Sequence, residues 1–200
     1  MNNLSFTPET IEKVHFIGPL VRKKADEVKK TAKKRRVLSM VGGFGYRERL
    51  FQNILSTAEL LDDFDFTLVA GPNVDAKKLP KKKNTKIIRY LPDPFPEIKS
   101  SHIVIAPGGH STIMECLSFG KPTMSFPDMF HSEQQNNARR LDELKVGRCL
   151  SYFTPPIVIA DSLTEMTSDN TMAKNCRKMM RLSRQLDGPK ALAYLIEDRG

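Results

Sequence analysis

The sequence contains no tryptophan, only three cysteines in 200 residues, and no long apolar run. Nothing in it approaches the roughly 18 consecutive apolar residues of a membrane helix, so no spanning helix is expected. The opening Met1-Asn-Asn-Leu-Ser lacks the charged and apolar regions of a signal peptide, and the expected location is the cytoplasm. Cys116, Cys149 and Cys176 are widely spaced and follow no metal or redox spacing. They read as buried, reduced thiols, which suits the same compartment. The lack of tryptophan, and of aromatics interleaved with basic residues, argues against a nucleic-acid partner.

Apolar residues make up 40% and charged residues 28%, which are ordinary values for a globular chain. The length fits one domain with a good core. The net charge of +9 is unevenly spread. Residues 22–36 hold nine Lys or Arg against Asp26 and Glu27, and Lys77-Lys78 with Lys81-Lys82-Lys83 form a second cluster. Each cluster reads as a solvated face or loop. An anionic membrane surface is the alternative, and nucleic acid the weaker one.

The most informative stretch runs from Ile103 to Pro127. His102 to Ala106 has the continuous apolar character of a buried parallel strand. Pro107-Gly108-Gly109 then turns the chain, and a helix opens at His110-Ser111-Thr112 with Ile113, Met114 and Leu117 inward. It stops near Gly120, and Pro122 to Phe126 is the next strand. This βαβ unit puts two glycines at the carboxyl end of a strand, where open α/β sheets bind ligands. Glycines allow close backbone approach, and free N–H groups of a first helical turn attract an anion such as phosphate. Glu115 has two readings. Thr112 and Glu115 have the spacing of a capping box; alternatively, the carboxylate accepts hydrogen bonds from vicinal sugar hydroxyls. Ser132 and Gln135 have capping-box spacing too, at the start of a helix from Glu133 to about Lys145.

Taken in order, Gly108-Gly109-His110-Ser111-Thr112, Glu115, Gly120-Lys121-Pro122, Pro127, Glu133-Gln134, Asn137-Ala138, Leu141 and Gly147 resemble the donor-binding half of a GT-B glycosyltransferase. The likeness is to UDP-glycosyltransferases and lipid-linked N-acetylglucosamine transferases of the family 28 C-terminal type. The resemblance implies an α/β fold, a Rossmann-like open parallel sheet of about six strands with helices on both faces. It implies a UDP-sugar ligand, UDP-N-acetylglucosamine foremost, with no metal and no other cofactor; no Asp-x-Asp-like pair stands in a suitable context. Donor phosphates fall to Gly42, Gly43, Gly108, Gly109, His110, Ser111 and Thr112. Ribose falls to Glu115, the sugar to Glu133 and Gln134, and the base to Leu91 and Phe95. His110 is the candidate stabiliser of the leaving group, with an ordinary helix-start residue as its other reading. Phe95 reads equally well as core. No general base is evident, and His131 could as well be a loop residue.

The rest of the chain fits this frame. Val14 to Val21, with its Gly18-Pro19 turn, resembles an interdomain linker, and Ala25 to Lys34 reads as a basic helix. Residues 1–33 are thus linker-like and 34–200 form the nucleotide-sugar-binding domain. Val37–Val41 reads as the first strand, with Gly42-Gly43-Phe44-Gly45 its turn, and a helix from about Tyr46 to Leu61 follows. Further strands are expected at Phe64 to Ala70, Thr85 to Leu91 and Arg148 to Phe153. A short helix is expected at Glu97 to Ser101, and two terminal helices at about Asn170 to Gln185 and Pro189 to Glu197. The implied activity is hexosyl transfer that needs an acceptor domain, supplied by a longer chain or a separate subunit. Peripheral contact with the inner membrane surface stays open. So do a non-catalytic UDP-sugar-binding module, an epimerase-like half and, less well supported, a basic nucleic-acid-binding protein.

Overall fold

The computed structural model describes residues 10, 12–27, 35–42, 47–71, 79–80 and 82–198. Six strands are described: β1 (Arg35–Ser39), β2 (Phe64–Val69), β3 (Thr85–Ile88), β4 (Ile103–Ala106), β5 (Thr123–Ser125) and β6 (Gly147–Cys149). They form one parallel sheet in the order β3-β2-β1-β4-β5-β6. The helices are α1 (Glu48–Glu59), α2 (Phe95–Ser100), α3 (His110–Ser118), α4 (Ser132–Glu143), α5 (Pro156–Ser168), α6 (Asn170–Gln185) and α7 (Gly188–Glu197). The expected Rossmann-like architecture is therefore present. The strand order reverses between β1 and β4, so the ligand crevice of such a sheet lies outside their carboxyl ends.

Both faces of the sheet are covered, and the register shows how. Val37 pairs with Ile103, and Leu38 with Val104. Side chains alternate across a strand, so Val37, Ile103 and Ile105 enter the larger core with α1 residues Leu50, Ile54 and Ala58 and α5 residues Ile159 and Leu163. Leu38 and Val104 point the other way and pack with Phe95, Ile98, Cys116 and Phe119. Burial on both faces favours a continuous apolar run, as in β4, Ile-Val-Ile-Ala. Burial pushes the thiols of Cys116 and Cys176 up to about 12, so both stay protonated as packing groups.

Gly147 is required by contact rather than by ligand. A Cβ there would lie 2.1 Å from the carbonyl oxygen of Thr123, so the last strand can close onto β5 only with glycine.

Three expectations about elements are corrected. Helix α5 was not foreseen, because Pro155-Pro156 reads as a break. Pro155 instead occupies the N-cap and Pro156 the first turn, where proline's missing N–H costs nothing. The last strand spans Gly147–Cys149 rather than Arg148 to Phe153; beyond it only Leu150 N–H continues the ladder, donating to Ser125 O at 2.8 Å. Helix α2 opens at Phe95 rather than Glu97, with Pro96 in its first turn. Of the basic helix at Ala25 to Lys34, a short 3₁₀ turn over Ala25–Glu27 is seen; residues 28–34 lie outside the described residues.

The segment before β1 is stapled to the domain by ion pairs. Lys23 Nζ meets Asp93 at 2.5 Å, Lys24 Nζ meets Asp187 at 3.3 Å, and Arg184 meets Asp26 at 2.7 Å. Gly18 and Pro19 cross the start of α7 so closely that a Cβ on Gly188 would lie 2.5 Å from Pro19 O.

Candidate functional site: the carboxyl edge of the sheet

Three chain turns meet at the carboxyl ends of β1, β4 and β5. After β4, Pro107-Gly108-Gly109 leads into α3. Gly108 has a φ of +104°, and a Cβ there would meet Ser125 Oγ at 2.8 Å and Gln134 O at 3.1 Å. Glycine is thus forced by both conformation and contact. Gly109 is different: its φ is −62°, and a Cβ added to it finds nothing within 4 Å. That face of the turn opens on the crevice.

Gly109 is the N-cap of α3, and no side chain caps this helix. His110, Ser111 and Thr112 form its first turn, with His110 and Ser111 exposed and Thr112 half-buried. Their N–H groups, with the positive end of the helix dipole, make an anion-receptive point. Gly42, after β1, has a φ of +69° and turns the chain away from the same edge. Gly43 lies outside the described residues.

The capping-box reading of Glu115 is overturned. Glu115 is well inside α3 and makes no cap. Its buried carboxylate accepts from Arg22 Nε at 2.7 Å and from Arg22 Nη2 at 3.1 Å. A buried carboxylate is stable only when paired and hydrogen-bonded, and here a residue 93 positions earlier supplies the pair. The bond and charge of Glu115 raise the pKa of Arg22, so the guanidinium remains charged. The second capping box is absent as well: His131 is the N-cap of α4, and Gln135 Nε2 donates to the carbonyls of Asp128 and Met129.

Helix α4 brings Glu133 and Gln134 to this edge. Asn137 Nδ2 donates to Gly108 O at 3.2 Å and to Glu133 Oε1 at 3.3 Å, which ties the helix to the glycine turn. Gln134 Oε1 accepts from Asp128 N–H at 3.1 Å. Exposed Glu133 and half-buried Gln134 therefore adjoin Gly108-Gly109.

Leu91 is half-buried against the smaller core. Phe95 is only 2% exposed and stacks on Phe119 with ring centroids 5.6 Å apart. Its other neighbours are cations: the Arg22 guanidinium lies 5.0 Å and Lys23 Nζ 5.4 Å from its ring centroid. For the Phe95 side chain the core position is what the structure shows, and its ring offers no open face.

Two features of the edge escaped the sequence. Arg22 was hidden inside a basic run, and nothing local marks its partner. The second is an apolar hollow of about 250 Å³ beside Asp128, lined by Met129, Phe130, Tyr152, Phe153, Arg49 and Asp128. Phe130 is 92% exposed; scattered over two loops and the start of α1, these side chains follow no helical or strand period. Among the described residues no group of three His, Cys, Asp or Glu could hold a metal ion, and no helix is long and apolar enough to cross a membrane.

A six-stranded parallel sheet with helices on both faces and an uncapped helix start at its carboxyl edge defines a Rossmann-like α/β domain. Residues 37–190 match the glycosyltransferase family 28 C-terminal domain, and the chain belongs to that family. It is 48% identical over 197 residues to an uncharacterized glycosyltransferase of Methanosarcina mazei, covering 98% of this chain and 52% of that protein. It is 27% identical over 118 residues, 58% of this chain and 33% of the other, to a Rickettsia bellii enzyme. That enzyme is named UDP-N-acetylglucosamine–N-acetylmuramyl-(pentapeptide) pyrophosphoryl-undecaprenol N-acetylglucosamine transferase. The crystal structure of the kitacinnamycin glycotransferase superposes with a TM-score of 0.78 at 22% identity, over 92% of this chain and 48% of that one. The chain thus spans about half the length of the relatives and structures it matches.

Proposed function

We propose that this chain is the donor-binding half of a glycosyltransferase and that it binds a UDP-sugar, UDP-N-acetylglucosamine foremost. The observation that carries the reading is the meeting of three features at one edge. These are the uncapped start of α3 with Gly109 open to the crevice, the buried Glu115 carboxylate on the same helix, and Glu133, joined through Asn137 to the glycine turn, with Gln134 beside it. The diphosphate would lie against the N–H groups of α3 and the side chains of His110, Ser111 and Thr112, with Gly42 opposite. Glu115 would take the ribose, Glu133 and Gln134 the sugar hydroxyls, and Leu91 with backbone groups near Phe95 the base. The Rickettsia bellii relative's name supports the choice of donor.

In the reaction, an acceptor oxygen forms a bond to the anomeric carbon while the bond from that carbon to the phosphate oxygen breaks. The electron pair leaves on UDP, where the α3 N–H groups and His110 stabilise the charge. The acceptor's proton goes to a base on the acceptor-binding half, which a separate domain supplies, and no metal or other cofactor takes part. Arg22, Lys23, Lys24 and Arg35 are occupied by ion pairs within the domain. Peripheral contact of the basic segment Arg22–Arg36 with an anionic bilayer is part of this reading, with each Lys or Arg near such a surface worth about 1 kcal/mol.

Calorimetric titration of Glu133→Ala and Gln134→Ala tests the sugar assignment. Both variants should bind UDP-N-acetylglucosamine more weakly by roughly 1–3 kcal/mol while binding UDP as before. Equal weakening toward both ligands would show that the pair supports the fold or the phosphates instead.

A further inference from the structure

Arg22 belongs to the segment that precedes the sheet, yet its guanidinium reaches the Glu115 carboxylate on α3. It engages both oxygens of Glu115 side-on, Nε to Oε1 at 2.7 Å and Nη2 to Oε2 at 3.1 Å. The Glu115 side chain is 7% exposed and that of Arg22 64%, so the guanidinium covers the side on which the carboxylate would meet solvent. The same guanidinium lies over Phe95, 5.0 Å from the ring centroid. Two N–H donors side by side on a carboxylate present the pattern of two vicinal hydroxyls.

We propose that Arg22 is an internal occupant of the ribose subsite, which a nucleoside diphosphate must displace before its 2′- and 3′-hydroxyls can bond to Glu115. This rests on the assignment of Glu115 to ribose made above. The exchange conserves hydrogen bonds, since two hydroxyl donors replace two N–H donors on the same oxygens, while the positive charge moves out to solvent with Arg22. Arg22 has somewhere to go, because most of its side chain already faces solvent. The backbone beside it stays anchored by Lys23 to Asp93 and by Lys24 to Asp187, so withdrawal needs a side-chain rotation rather than release of the segment. Donor entry is thereby coupled to the segment that leads into this domain: Arg22 is paired when the subsite is empty and free when it is filled.

Occupancy by Arg22 lowers apparent affinity by the fraction of time the subsite is closed, so its removal should tighten UDP binding by roughly 3- to 30-fold. Removal also leaves a buried carboxylate without its cation, which lowers thermal stability. A residue that merely supports the fold, or that orients Glu115 for the ligand, cannot produce this pair of opposite signs. The test is calorimetric titration of the 200-residue chain, Arg22→Met and Arg22→Lys with UDP and with 2′-deoxyuridine diphosphate, beside their melting temperatures. Expected are a lower Tm and tighter UDP binding for Arg22→Met, with a smaller gain for the deoxy ligand, which brings one hydroxyl fewer. Arg22→Lys, with charge but no fork, should fall between Arg22→Met and the parent. UDP binding that is unchanged or weaker in Arg22→Met overturns the proposal while leaving the nucleotide site standing. Absence of UDP binding by all three proteins overturns the ribose assignment and this inference with it.

Discussion

Gly108 and Gly109 are adjacent and alike in sequence, but the structure asks different things of them. Gly108→Ala should cost about 1–3 kcal/mol, because it forces a side chain into a left-handed conformation against Ser125 and Gln134. Gly109→Ala should leave stability within about 0.5 kcal/mol, since its Cβ touches nothing. Its methyl would stand where the phosphates are placed, so nucleotide affinity should fall. Denaturant unfolding beside calorimetry separates the two effects; a destabilised Gly109→Ala with normal affinity would remove the glycine from the phosphate site. At this scale the sequence was half legible. The pattern around Gly108-Gly109, Glu115 and Glu133-Gln134 can be picked out because the residues stand at fixed offsets within one βαβα unit. The partner of Glu115 could not be found that way, since Arg22 lies 93 residues earlier and its neighbours are basic too. Two capping boxes failed for a related reason: the spacing fits, but the helices start elsewhere, so Glu115 accepts from Arg22 and Gln135 donates to the loop carbonyls of Asp128 and Met129.

Among elements, β4 was readable because burial on both faces leaves an apolar run that little else explains, and β2 from its alternation of buried Phe64, Phe66 and Leu68 with half-buried residues. Helix α5 was not, since its two prolines look like a break when the chain is read locally and like a helix start only once the preceding backbone is seen to be extended. Edge strand β6 was read too long because Arg148 to Phe153 has β-forming residues, yet the sheet supplies it with a single neighbour, β5. The close approach of β5 and β6 gives a direct test. Gly147→Ala places a methyl against the Thr123 carbonyl and should destabilise the domain by about 1–3 kcal/mol through overpacking. Urea unfolding reads this out, and a variant as stable as the parent would mean that the two strands are not held this closely. Nucleotide affinity per folded molecule should stay as it was, because Gly147 is matched to packing and not to the ligand.

For the whole molecule, the expectation is incompleteness. On the proposed reading, a donor site at this edge, with the apolar hollow around Met129, Phe130 and Phe153 beside it, would leave the acceptor to another domain; the chain covers about half of the length of its Methanosarcina mazei relative. Purified alone, it should transfer no sugar from radiolabelled UDP-N-acetylglucosamine to a polyprenyl-phosphate-type acceptor, and transfer should appear when an acceptor domain is added. Robust transfer by the 200-residue chain alone would refute the half-enzyme account. The central claim, that this edge binds a nucleoside diphosphate through α3 and Glu115, is tested most directly by titrating UDP into the parent chain and into Glu115→Gln. The account predicts saturable one-to-one binding by the parent and a loss of roughly 1.5–3 kcal/mol in the variant, the worth of hydrogen bonds to a charged acceptor. No binding by the parent, or equal binding by a folded Glu115→Gln, would contradict it.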